Sequence, residues 1–213
     1  MFVIIEGPNG SGKTSLIKMM GDHGFKTLSS PNGTDLAKLL RPICRGTDGW
    51  EDVDKIIQFL LFSAARYDEY TRCVENSEEV VVADRWWTST YVYQCKLQSI
   101  DVEFLEHTIK KGEKIDLVVL LDGEDDLLID RMNSERNKNK SHKKCKWTKD
   151  NSLLKEIIKI YREDLPKYLN EKGINFVRID VGSNNQYEVF DLVKNIIFKE
   201  GSSNERLSNN EDI

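Results

Sequence analysis

No run in the 213-residue chain approaches the about 20 consecutive apolar residues that a membrane-spanning helix needs. The opening Met1-Phe2-Val3-Ile4-Ile5-Glu6 has no basic segment and too short an apolar run for a secretory leader. The four cysteines, Cys44, Cys73, Cys95 and Cys145, contain no C-x-x-C pair, which argues against a zinc ribbon or a disulfide framework. Each is expected to be a small buried hydrophobe in a reducing compartment. A cytoplasmic protein with no membrane partner is the simplest expectation. Histidine is scarce as well: His23, His107 and His142 are too scattered to form a ligand set or to supply a general base. Excess positive charge is missing, the net charge being −5, so broad attraction to nucleic acid is not expected. No internal repeat and no N-K-x-D guanine motif occurs; Asn137-Lys138-Asn139-Lys140 lacks the aspartate.

What the chain does have is Gly7-Pro8-Asn9-Gly10-Ser11-Gly12-Lys13-Thr14, a G-x-x-x-x-G-K-[ST] sequence. It follows the apolar run Phe2-Val3-Ile4-Ile5 and opens a helical pattern with Leu16, Ile17 and Met20 on one face. The glycines let successive N–H groups point inward at a polyphosphate, and the helix start adds its positive dipole end. Gly7, Asn9, Gly10, Ser11, Gly12, Lys13, Thr14 and Ser15 are therefore the expected ATP-binding set. Lys13 supplies a point charge for the β- and γ-phosphates, and the Thr14 hydroxyl is a ligand for Mg²⁺.

Strands alternate with helices along the chain. Apolar stretches at 2–6, 79–83 and 117–121 read as buried strands, with shorter ones at 25–29 and 174–179. Helical patterns are expected at 13–21, from 34 or 35 to 44, as one long helix at 50–76, from 86 to about 98, and at 101–111, 125–133, 151–169 and 187–198. Pro166 is expected to kink or end the helix at 151–169. The pattern is α/β: a P-loop NTPase-type three-layer sandwich with a parallel five-stranded sheet and a helical lid. A single domain at 1–200 with a basic lid at about 131–150 is expected, followed by a disordered tail at 201–213.

In such a fold, sites lie at the carboxyl ends of the strands, which singles out 7–14, 29–33, Asp84-Arg85 and Asp122-Gly123. Asp84 ends a buried strand and is placed to hold Mg²⁺, with Arg85 beside it for a second phosphate. An acid for the metal and a base for the acceptor phosphate are what phosphoryl transfer between nucleotides needs.

Several segments resemble thymidylate kinases. Leu60-Leu61-Phe62-Ser63-Ala64-Ala65-Arg66 is similar to their L-L-F-x-A-x-R segment. The run from Asp84-Arg85 through Ser89-Thr90 to Tyr93-Gln94 is similar to their D-R-[YFH]-x-x-S-[ST]-x-x-Y-Q segment. Pro31-Asn32-Gly33-Thr34, with Arg41 downstream, looks like their P-G-G-T…R segment, and Leu121-Asp122 with Arg131 looks like the approach to their lid. The resemblance implies transfer of the ATP γ-phosphoryl group to dTMP. It implies that Phe62 stacks on thymine, that Arg66 bonds a thymine carbonyl, and that Thr90 and Gln94 complete the polar edge. It implies that Arg41 and Arg85 hold the acceptor phosphate, that Asn9, Pro31 and Ser89 line the same pocket, and that Tyr93 occupies the place of a ribose 2′-OH. Members of the family are commonly dimers, so a homodimer is expected.

Two departures bear on the acceptor. The family usually has an acid in the phosphate loop where this chain has Asn9, and its bacterial members carry Arg-Glu where this chain has Ser29-Ser30. A modified or different deoxynucleoside monophosphate therefore stays open as acceptor, as do a deoxynucleoside and a nucleic-acid 5′ end. Some members put an arginine inside the phosphate loop; the slot here is Gly10, and the basic residues lie in the lid instead. Arg131 and Arg136 are the expected catalytic pair among Lys138, Lys140, Lys143, Lys144 and Lys146.

Overall fold

A computed structural model describes residues 1–138 and 150–208. Five parallel strands form one sheet in the order β2-β3-β1-β4-β5. They are β1 (Phe2–Glu6), β2 (Lys26–Ser29), β3 (Val81–Asp84), β4 (Leu117–Asp122) and β5 (Phe176–Asp180). Every residue of β1 is buried, as a central strand covered on both faces requires. Alternation along it sends Phe2 and Ile4 into one apolar layer, with Phe59, Trp86 and Leu165, and Val3 and Ile5 into the other, with Met20, Leu128 and Val193. The register sets Ile5 beside Asp84, which brings the end of β3 next to the loop that leaves β1.

The helices are α1 (Lys13–Asp22), α2 (Asp35–Arg45), α3 (Lys55–Glu69), α4 (Trp87–Thr90), α5 (Val102–Thr108), α6 (Asp125–Lys138), α7 (Asn151–Lys159), α8 (Leu165–Glu171) and α9 (Gln186–Ser208). Thr34 and Asp54 cap α2 and α3 by accepting from Ala37 N and Ile56 N.

The helix expected at 50–76 begins later, at Lys55, because Asp54 caps it there, and it continues through a π-helical turn at Tyr70–Val74. The helix after Arg85 is α4 continued by a π turn at Tyr91–Lys96. The helix expected at 151–169 contains a third π turn, Ile160–Asp164. Pro166 follows just after that turn: the chain stays helical into α8, but the regular α ladder of α7 ends at Lys159, and Arg162 O, four residues before the proline, accepts from Arg178 instead. The last helix does not stop at Phe198 but runs to Ser208, while 209–213 lie outside the described residues. The lid segment 139–149 also lies outside them, flanked by α6 and α7. No described helix is long and apolar enough to cross a membrane.

Candidate active site

The loop between β1 and α1 forms the floor of the site. Gly12, at φ 87°, is the N-cap of α1 and provides no side-chain cap, unlike Thr34, Asp54, Asp101 and Asp150 at other helix starts. The first N–H groups of α1 are thus left for an anion. The Lys13 ammonium is buried inside the loop and donates to Gly7 O at 2.8 Å, Pro8 O at 2.7 Å and Ser11 Oγ at 3.2 Å. Thr14 and Ser15 are exposed at the mouth.

A cleft of about 410 Å³ opens on one side of this loop. It collects residues that are far apart in sequence: Asn9, Pro31, Arg41, Phe62, Arg66, Asp84, Arg85, Ser89, Tyr93 and Gln94, together with Lys13 and Thr14. Phe62 and Arg66 lie one turn apart on α3, with the Arg66 guanidinium carbon 5.1 Å from the Phe62 ring centre. Thr90 is placed differently from expectation. Its buried hydroxyl accepts from Arg66 Nη1 behind the cleft, so it orients the arginine rather than forming the wall. Burial lowers the Arg66 pKa against the pull of Glu69, and burial together with neighbouring Arg45 lowers that of Arg41. Crowded cations with few counter-charges favour an anionic ligand.

Arg85 is at φ 70°, in the left-handed region that side chains seldom occupy. Its guanidinium donates to Asn9 Oδ1 at 2.7 Å, Tyr161 Oη at 2.8 Å and Ser89 Oγ at 3.1 Å, and lies 3.6 Å from the buried Glu6 carboxylate. Burial opposes its charge, but Tyr161, Tyr93, Glu6 and Asp84 more than offset this and raise its pKa well above the arginine norm. Glu6 in turn accepts from Trp86 N, Thr88, Ser89 and Tyr161. Asp84 Oδ1 is buried with no hydrogen-bond donor. A carboxylate oxygen of this kind, in the same cleft as the exposed Thr14, is the hard oxygen donor that a divalent cation takes.

A second cleft, of about 490 Å³, lies across the same loop. Gly10, Gly12 and Ser15 are common to both walls. The far wall carries Arg131 on α6 and Asn184 and Asn185 before α9. Arg131 donates to Val181 O at 3.3 Å. The side chain of Arg136 and the whole of 139–149 lie outside the described residues. Gly10, at φ 86°, has Leu128 O only 2.4 Å from where a Cβ would be. Helix α6 therefore occupies the space that an arginine at this place in the loop would need.

Among the residues of the site that were not singled out from sequence are Glu6, Arg45, Glu69 and Tyr161. Arg45 lines the first cleft one turn after Arg41, a spacing that could have revealed it. Glu69 lies on the face of α3 that carries Phe62 and Arg66, and that periodicity was also visible. Glu6 and Tyr161 act across long sequence separations and left no local signal.

Comparison with known proteins places these features in a family. The thymidylate kinase family model matches residues 5–177. A "Probable thymidylate kinase" of Methanococcus aeolicus is 26% identical over 203 residues, covering 93% of this chain and 96% of that protein. A thymidylate kinase of Acinetobacter baylyi is 29% identical over 124 residues, covering 50% of this chain and 61% of that one. The crystal structure of thymidylate kinase from Ehrlichia chaffeensis superposes with a TM-score of 0.65 at 18% identity, covering 92% of this chain and 97% of that one, a likeness of fold. The sheet order, the phosphate loop with a cleft on either side, and the match over residues 5–177 lead to one conclusion: the chain belongs to the thymidylate kinase family, a family of ATP-dependent nucleoside monophosphate kinases.

Proposed function

We propose that the chain transfers the γ-phosphoryl group of ATP to the 5′-phosphate of dTMP, giving dTDP and ADP. The observation that carries this reading is the pair of clefts with the phosphate loop as their shared wall, one lined by Phe62, Arg66, Tyr93 and Gln94 and the other by Arg131. A donor in one cleft and an acceptor in the other meet over Lys13.

In this reading Phe62 stacks on the flat base and Arg66, steadied by Thr90, bonds its carbonyl edge. Tyr93 fills the place of a 2′-OH. Arg41 and Arg85 hold the acceptor phosphate in line for attack on the γ-phosphorus, and the bond to ADP breaks as the new P–O bond forms. Lys13 and the N–H groups of the loop neutralise charge on the leaving side, and Arg131 and Arg136 bring the lid's charge to the transferring group. Thr14 and Asp84 would hold Mg²⁺, which would neutralise phosphate oxygens. A homodimer through the exposed apolar residues of α2 and α3, Leu36, Leu39, Ile57 and Leu60, fits the same reading. A cytoplasmic setting fits Cys44, Cys73 and Cys95, which are free thiols; burial pushes Cys44 up to about 11 and Cys95 up to about 12.

The test is a coupled ATP/Mg²⁺ assay with dTMP, dUMP, dCMP, dAMP, dGMP, thymidine and a 5′-hydroxyl oligonucleotide as acceptors. Strong preference for dTMP supports the reading. Turnover of thymidine or the oligonucleotide with dTMP inert overturns the acceptor assignment.

A further inference from the structure

Glu69 is fully buried, yet its carboxylate points at a loop rather than at a charge partner. Its Oε1 accepts from Asn32 N at 2.8 Å and Gly33 N at 2.7 Å, and its Oε2 accepts from the Ser30 hydroxyl at 2.6 Å. The 30–33 segment is therefore fixed from below by one side chain. Charge-assisted bonds to backbone N–H groups are the stronger kind, and a buried carboxylate that lost them would be left at a large desolvation cost. Gly33 makes the contact possible: a Cβ there would lie 2.0 Å from Leu28 Cδ1 and 3.2 Å from Glu69 Oε1.

The fixed segment has an output. Pro31 O, between the anchored Ser30 and Asn32, accepts from Arg41 Nη1 at 2.8 Å. Burial and the like charge of Arg45 disfavour the Arg41 guanidinium, against the pull of Asp84 and Glu69, and Pro31 O is the acceptor that fixes its direction. One face of α3 thus carries Phe62 and Arg66 toward the base end of the cleft and Glu69 toward the loop that aims Arg41.

We infer that Glu69 is a positioning residue for the acceptor phosphate, holding the 30–33 loop so that Pro31 O fixes the Arg41 guanidinium in the cleft. This inference rests on the dTMP reading above. It separates Glu69 from a residue that merely stabilises the fold: its hydrogen bonds all run to the loop that aims Arg41, whereas it reaches Arg66 only by charge, so its loss is expected to fall chiefly on the phosphate.

Thymidine and dTMP differ only in that phosphate, so their dissociation constants, measured by calorimetry, distinguish the two roles. Glu69→Ala is expected to weaken dTMP by about tenfold and thymidine by less than about twofold, as loss of one anchored guanidinium contact would do. In the Arg41→Ala background, Glu69→Ala is expected to cost dTMP nothing further. If Glu69→Ala does not yield folded protein, Ser30→Ala removes one anchoring hydroxyl and is expected to lower the dTMP preference over thymidine by about threefold. Equal weakening of both ligands, an unchanged ratio in the folded variant, or additivity with Arg41→Ala overturns the inference. A wild-type protein that binds thymidine but gains nothing from the phosphate of dTMP overturns the acceptor reading itself and this inference with it.

Discussion

Lys13 and Arg66 are both buried cations, but one faces its own loop and the other a neutral hydroxyl, and their truncation has different consequences. Lys13→Ala removes the one cation held inside the phosphate loop itself, at the floor of the first cleft. It is expected to lower kcat by at least about 100-fold in the coupled assay, in the range found when a preorganised transition-state donor is lost. Arg66→Ala is expected to raise KM for dTMP by about tenfold or more with KM for ATP nearly unchanged, since it lines the first cleft and not the one that carries Arg131. Equal effects on both substrates would remove it from the base site. Behind Arg66, burial pushes the Glu113 carboxyl from 4.5 up to about 7, against the Trp86 indole N–H at 2.5 Å and the charges of Arg66 and Lys110. A raised carboxyl binds its proton more tightly in the folded state. Its favourable contribution is therefore complete below 4.5 and is lost as pH rises through about 7. Denaturant titrations should show wild type losing stability relative to Glu113→Gln across that interval; parallel curves would refute the assignment. The motif residues were legible because each sits in a short run of fixed spacing. Glu113 was not, because its environment is made by residues from α4 and the loop before it.

At the scale of elements, the phosphate loop and α6 determine each other. The Leu128 carbonyl lies against Gly10, so α6 can approach only a residue without a side chain. Gly10→Ala, strained at φ 86° and in collision with that carbonyl, is expected to push α6 away and lower kcat by about tenfold or more, with a lower Tm. Unchanged kcat would show that α6 does not carry its arginine to the donor cleft. Strands and most helices were readable from apolar runs and caps. The π turns were not. Tyr91–Lys96, which carries Tyr93 and Gln94, and Ile160–Asp164, which carries Tyr161, have ordinary helical composition. An inserted residue in a helix follows from what the side chains must reach, and that depends on neighbours distant in the chain. Tyr161 reaches Arg85 and Glu6, 76 and 155 residues away. Pro166 marked where the helix at 151–169 departs from a regular α ladder, but not that the departure takes the form of a π turn.

The whole molecule is acidic, with a net charge of −5, yet its central cleft gathers Lys13, Arg41, Arg45, Arg66 and Arg85. Composition reports only the sum, whereas the field that attracts a nucleotide comes from where the fold concentrates charge. The apolar residues left exposed on α2 and α3 give the whole-molecule prediction. Leu39, the most exposed of them at 71%, when changed to Glu should convert a dimer to monomer in sedimentation analysis while the circular dichroism spectrum is kept. A wild type that sediments as monomer would refute the interface. The sequence by itself determined the parallel α/β architecture, the phosphate loop and the residues of the acceptor motifs, because apolar periodicity and local spacing are properties of neighbouring residues. Only the tertiary structure decided that Thr90 backs Arg66, that Asn9 holds Arg85, that α6 closes on Gly10 and that Glu69 anchors the 30–33 loop. Those contacts join residues brought together only when strands pair and helices pack, because a buried polar group is stabilised by whichever partner the packed geometry leaves within reach.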